Sequence, residues 1–237
     1  MDSIGDSLRY PMEDEDWLTT VVIGGVLTLL GVFFIPILPV YGYIVRAINE
    51  RVAGATQPPE FDDWGDLFVD GIKAWVIGAV YMLIPGIVAA VVVGGSLISI
   101  MTGTRAGVGA GMAGLLGGLL ISAVLSLVFG YVAVAAVVHF SVTGDLSAAF
   151  DIGTLRQLAL SSEYATAWLV SVVLFVGANI AVNLFNVIPF VGSLIAGVLT
   201  AFATFYVAVV ATDLWASGYK AALEDGEEAE SVGTAPV

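Results

Sequence analysis

The chain has 237 residues, of which 59% are hydrophobic and only 12% charged, and its mean hydropathy is +0.99. Soluble domains average roughly 45–50% apolar and about 25% charged residues. The composition therefore excludes a soluble globular domain, a disordered chain and a nucleic-acid binder, and leaves a multi-pass membrane protein. Its 21 Asp+Glu against 7 Lys+Arg give a net charge of −14. Acid crowded onto so little polar surface repels nucleic acid and anionic headgroups. It suits a cytoplasm of very high salt, where screening removes the repulsion. There is no cysteine, so disulfides and thiolate metal sites are excluded.

The first 16 residues, MDSIGDSLRYPMEDED, are polar and acidic. They lack the basic then apolar pattern of a secretory signal and read as a cytoplasmic acidic N-terminus. A bilayer core of about 30 Å needs about 20 helical residues. Long apolar runs at 17–45, 72–101, 106–142, 165–188 and 190–211 meet that need. They are too long for barrel strands and lack two-residue alternation. The first run reads either as one tilted span or, with Pro36 and Pro39 in it, as a short span to about Phe34 and a second from Pro36 to about Ala53, because proline suits a helix start and breaks a helix interior.

An internal repeat supports the split. Gly42-Tyr43, Gly130-Tyr131 and Phe205-Tyr206 open similar stretches. Each leads to a polar residue (Glu50, His139, Asp213) and then a glycine (Gly54, Gly144, Gly218). Phe61-Asp62-Asp63-Trp64-Gly65 matches Phe150-Asp151-Ile152-Gly153, and Ile-Pro recurs at 35–36, 84–85 and 188–189. The expected fold is an all-α integral membrane bundle, three degenerate copies of a helix pair. It has six spans: 17–34, 36–53, 71–101, 107–142, 164–187 and 189–216. The membrane domain covers 17–219, and 220–237 reads as an acidic disordered tail. With six spans every Lys and Arg except Arg105 lies on one face, which the positive-inside rule makes cytoplasmic, with both termini inside.

Residues 59–70 interleave acid with aromatics, and Phe61, Trp64 and Phe68 fall on one helical face. They are expected to form an interfacial helix at the membrane surface, with a second at 147–160 carrying Phe150, Leu155 and Leu158. Trp17, Trp75, Trp168 and Trp215 sit near inner helix ends as an aromatic belt. The run from Gly103 to Gly118 has Gly103, Gly107 and Gly111, then Gly114 and Gly118, at four-residue spacing. Such spacing lets helices approach closely, within the chain or between copies in a homo-oligomer. It lacks the GxxxxGK[ST] pattern of a phosphate loop.

Two sets of polar residues are candidate binding sites. Asn179, Asn183 and Asn186 make a stripe along the fifth span, expected to hydrogen-bond between helices or to line a solute path. Glu50, His139 and Asp213 mark where the second helices of the three units exit. Carboxylate with imidazole can bind metal or move protons, yet such groups at helix ends more often reach for the interface. A single histidine without an HExxH-type partner, and no GxSxG, argue against an enzyme, a metal centre or a cofactor. No span carries a mid-membrane charge, which argues against ion-coupled transport. Two functions stay open. One is a non-enzymatic organiser or regulator of membrane partners or lipids. The other is a transporter or channel for a small or apolar solute.

The residues Arg9-Tyr10-Pro11, Trp17, Tyr41-Gly42-Tyr43, Arg46, Pro59-Glu60-Phe61-Asp62-Asp63-Trp64, Leu67 to Lys73, Tyr81 and Pro85 carry a resemblance. The chain resembles an uncharacterised family of multi-pass membrane proteins common in haloarchaea and related archaea. That resemblance implies an archaeal plasma membrane and brings no site residues with it. More loosely, the unit is similar to the membrane domain fused to some glycerophosphodiester phosphodiesterases, whose catalytic barrel has no counterpart in this sequence.

Overall fold

The computed structural model describes residues 4–188 and 191–233, with side chains as far as Glu224. Eight α-helices run in chain order: α1 Ile4–Arg9, α2 Trp17–Leu29, α3 Ile37–Val52, α4 Trp64–Met101, α5 Arg105–Thr143, α6 Ile152–Leu160, α7 Ser162–Asn183 and α8 Gly192–Gly233. Short 3-10 turns at Tyr10–Met12, Leu30–Phe33, Leu146–Phe150 and Leu184–Val187 join or extend them. There is no strand among the described residues.

Local chemistry sets the helix ends. Pro36 caps α3, a position that needs no backbone N–H. Asp145 and Asp151 start the 3-10 turn at Leu146 and α6, accepting from the N–H groups of Ser147 and Gly153. Ser161 caps α7 through the N–H of Tyr164. Gly54 and Gly144 follow α3 and α5 with φ of +102° and +72°. Left-handed backbone of this kind is what glycine allows after a helix.

Four helices are long and apolar enough to cross a membrane: α4, α5, α7 with its 3-10 turn, and α8. A fifth crossing is available if 4–12 and 17–33, bent by 88° at their break, act as one. Helices lie within all six expected spans, but α2 and α3 are not among those four, so four or five crossings are supported rather than six. The first two are shorter than the rest: α2 has 13 residues plus a four-residue 3-10 turn, and α3 has 16. At 1.5–2.0 Å per residue they measure about 28 Å and about 24 Å.

Several expectations are corrected. Residues 59–70 do not form a separate interfacial helix. Phe61 belongs to a loop, while Trp64 and Phe68 open the 38-residue α4, which continues unbroken to Met101. The second expected surface helix exists as α6, but Leu155 and Leu158 are buried and α6 packs on α8. The segment expected as a disordered tail continues α8 as far as Gly233; 234–237 lie outside the described residues. The repeat is uneven at this level. Gly218 lies inside α8 rather than ending a helix. Ile84-Pro85 lies within α4, whereas Ile35-Pro36 precedes α3. Pro189 is outside the described residues.

The chain divides into two compact units, Met1–Trp75 with Ala135–Val237, and Val76–Val134. In the first, α8 is the hub, touching α1, α2, α3, α6 and α7. Tyr43, Ile48, Leu67, Phe140, Leu158, Tyr164, Phe205 and Val210 are fully buried there. Glycine makes the closest approaches. A Cβ on Gly42 would stand 1.9 Å from the Leu67 carbonyl oxygen, and one on Gly71 would stand 1.9 Å from that of Leu38. The backbones of α3 and α4 therefore touch directly. On α2, Gly24 and Gly25 receive the rings of Phe205 and Phe202.

The second unit is a hairpin made of α4 from Val76 onward and α5 as far as Val134. Gly107, Gly111, Gly114 and Gly118 face Thr102, Ser99, Ile100, Ser96 and Val92 of the opposite arm. The glycine run thus serves close packing within the chain, as its spacing suggested. Leu83, Ile87, Val91, Ile98, Leu116, Leu120 and Val124 are exposed on this hairpin. So large an apolar surface needs hydrocarbon around it.

Candidate functional site

Glu50 and His139 lie near the C-terminal ends of α3 and α5 and Asp213 lies midway along α8, all within the first unit. Asp213 is 1% exposed, and its carboxylate accepts a charge-assisted hydrogen bond from Nε of Arg51. A second guanidinium N–H of Arg51 donates to the Ala55 carbonyl at 3.0 Å. The guanidinium also stands 5.4 Å from the centre of the buried Tyr10 ring, within cation–π range. Burial raises the Tyr10 hydroxyl above its ordinary range, against the pull of Arg51. Lys220 donates to the Arg51 carbonyl at 3.2 Å.

His139 meets Tyr219 rather than a carboxylate, with Nδ1 and the hydroxyl 2.9 Å apart. Asn49 donates to the Ser141 carbonyl at 2.7 Å, tying α3 to α5. Gln157 donates to the Ala222 carbonyl at 3.1 Å, tying α6 to α8. Glu50 is partly buried on α3. Of these three candidate residues, Asp213 therefore pairs with Arg51 and His139 with Tyr219. Among the described residues no three His, Asp or Glu side chains are placed to hold a metal ion.

The aromatic set behaves differently from a surface anchor. Phe61 stacks on Tyr43 with ring centres 4.4 Å apart and reaches Phe205 at 5.9 Å. Trp64 stacks on its outer side at 5.8 Å and is 43% exposed. Arg46 grips the same loop through the Asp62 carboxylate and the Asp62 carbonyl. Gln57 ties the loop to the N-terminal segment, donating to the Glu13 carbonyl at 2.9 Å. Loop 57–63 is thus a strap that lays the half-buried Phe61 against the core rings of Tyr43 and Phe205. Phe68 is half-buried on α4. Two belt tryptophans also have partners within the chain: Trp215 donates to Ser171 Oγ at 3.0 Å, and the exposed Trp75 meets the exposed Phe34 edge-on at 5.0 Å.

Asn179 and Asn183 are exposed and line an open groove of about 420 Å³ with Phe175, Val176 and Ile180. Their amides turn to their own helix. Asn179 donates to the Phe175 carbonyl at 3.0 Å, and Asn183 to that of Asn179 at 2.8 Å. Asn186 donates to the Asn183 side chain at 2.9 Å. The expected bonds to neighbouring helices are replaced by bonds within the turn.

Arg51, Tyr10 and Tyr219 complete the site and were not anticipated. The available signal was a basic residue near the end of α3 and an acid within α8, 162 positions apart in the sequence. No curated protein matches the chain, and no solved structure matches it. One family model, described as a protein of unknown function (DUF4013), matches residues 25–211. With most of its length under that match, this membrane-helical chain belongs to the DUF4013 family.

Proposed function

We propose that the protein is a non-enzymatic, six-span component of an archaeal plasma membrane in a high-salt cell. Both termini are cytoplasmic, and it organises membrane partners or lipids. The observation that supports this reading is the use of its polar groups. Asp213 is held by Arg51, His139 by Tyr219, and Asn179 and Asn183 by their own helix. These are the side chains a substrate or a permeating solute would need, and each makes at least one hydrogen bond within the chain. The acidic side chains of Glu13, Glu15, Asp16, Glu60, Asp63 and Asp66 are exposed instead. They form the water-facing side of the cytoplasmic surface, and they agree with a salt-rich interior.

Reconstituted vesicles test the reading. Vesicles containing the protein should release a panel of small polar and apolar solutes no faster than empty ones. The Asn179→Leu/Asn183→Leu variant should fold and behave alike, since membrane side-chain hydrogen bonds average about 0.6 kcal/mol. Solute flux that the folded double variant loses would replace this reading with a transporter.

A further inference from the structure

The outward side of α7 combines two features that a lipid-facing helix does not need. Leu169, Val173, Val176 and Ile180 are each more than half exposed. Beside them Val172, Val176, Asn179 and Asn183 are spaced 4, 3 and 4 residues apart, the seam period of a left-handed helix pair. Two amides therefore lie in the seam itself. Asn179 uses one N–H on the Phe175 carbonyl. Among the described residues, nothing donates to its Oδ1 and nothing accepts from its second N–H. Facing hydrocarbon, such a group gains by finding a partner.

We propose that α7 is a dimerisation helix, and that a second copy of this chain fills the groove lined by Phe175, Val176, Asn179, Ile180 and Asn183. The choice of occupant follows from the amide. It offers one donor and one acceptor, so its complement is another amide in the reverse orientation. Copies inserted with the same topology bring Asn179 of each to the same depth. A two-fold axis along the membrane normal then sets Asn179 against itself and allows two reciprocal hydrogen bonds. A lipid tail satisfies neither valence. The branched residues of the seam supply knobs for the facing holes, while the asparagine fixes register, as a polar seam residue does in soluble pairs. The inference needs α7 in a bilayer and nothing further from the functional reading.

The chain has no native cysteine, so single-cysteine cross-linking in native membranes is a direct test. Ile180→Cys and Val176→Cys should give a dimer on mild oxidation. Leu120→Cys, exposed on the α4–α5 hairpin, should not. Asn179→Leu combined with Asn183→Leu should weaken dimerisation by about tenfold in vesicles, measured by photobleaching steps across a dilution series. A monomer at all protein-to-lipid ratios overturns the proposal. So does cross-linking at position 120 in place of 176 and 180, or a dimer indifferent to both asparagines.

Discussion

Alanine at Gly42 or Gly71 is expected to destroy the folded state, although each substitution adds a single methyl group. Both glycines bring their helix onto the carbonyl of the other, 1.9 Å from where a Cβ would be. No side chain can rotate away, because the obstacle is backbone on both sides. The helices must separate by more than 1 Å, and that opens the packing around Leu67 and Tyr43, both buried. Overpacking of an ordinary core costs about 1–3 kcal/mol, and a rigid backbone contact belongs at or above the top of that range. Gly78 on the same α4 has nothing within 4 Å of its Cβ position. Gly78→Ala should be neutral or slightly stabilising, since alanine is the better helix former by about 0.8–1.0 kcal/mol. Thermal unfolding in detergent gives the comparison. Equal midpoints for the alanine variants at 42, 71 and 78 would contradict the described contact between α3 and α4.

Arg51→Ala is expected to be the most damaging single change around the Arg51–Asp213 pair. It leaves the carboxylate of Asp213 buried at 1% exposure without its cation. Breaking one side of a buried pair typically costs about 3–5 kcal/mol. It also removes the cation over Tyr10 and the bond to the Ala55 carbonyl, so the N-terminal segment should loosen with α3. Asp213→Asn should do less harm, because Arg51 is partly exposed and water can reach it. The double change Arg51→Met/Asp213→Leu should recover most of the stability, since an apolar pair carries no desolvation penalty. Unfolding midpoints of the three variants decide the matter. A double variant no more stable than Arg51→Ala would mean that the damage comes from lost packing of the arginine stem rather than from the unpaired acid.

The helical architecture was legible because a bilayer makes hydrophobic length a strong constraint. Helices cover the long apolar runs, and the breaks at Pro36 and at Thr102–Thr104 fall between helices, although four or five of the helices rather than six have the length and apolarity of spans. The glycine run was legible for the same reason, since its spacing lies along one helix. The contacts that position the site were not legible. Gly42 and Gly71 carry no pattern on either helix alone, and their meaning arises only when α3 and α4 cross. Phe61 looked like a surface anchor because acid surrounds it. In the structure Arg46 neutralises Asp62 and lets the loop fold inward, so that the ring reaches Tyr43. The asparagine stripe showed its periodicity but not its direction. Hydropathy marks a face as polar without saying whether its amides reach across to a neighbour or back along their own helix.

The membrane placement on which the account rests is tested most directly by cysteine accessibility in intact cells. The introduced residues are single cysteines at positions 3, 104 and 230 of a chain that has none. An impermeant thiol reagent applied outside should label Thr104→Cys, in the turn between α4 and α5. It should reach Ser3→Cys and Glu230→Cys only after the membrane is opened. Labelling of position 3 from outside, with position 230 protected, would leave an odd number of crossings and contradict the six-span arrangement with both termini inside.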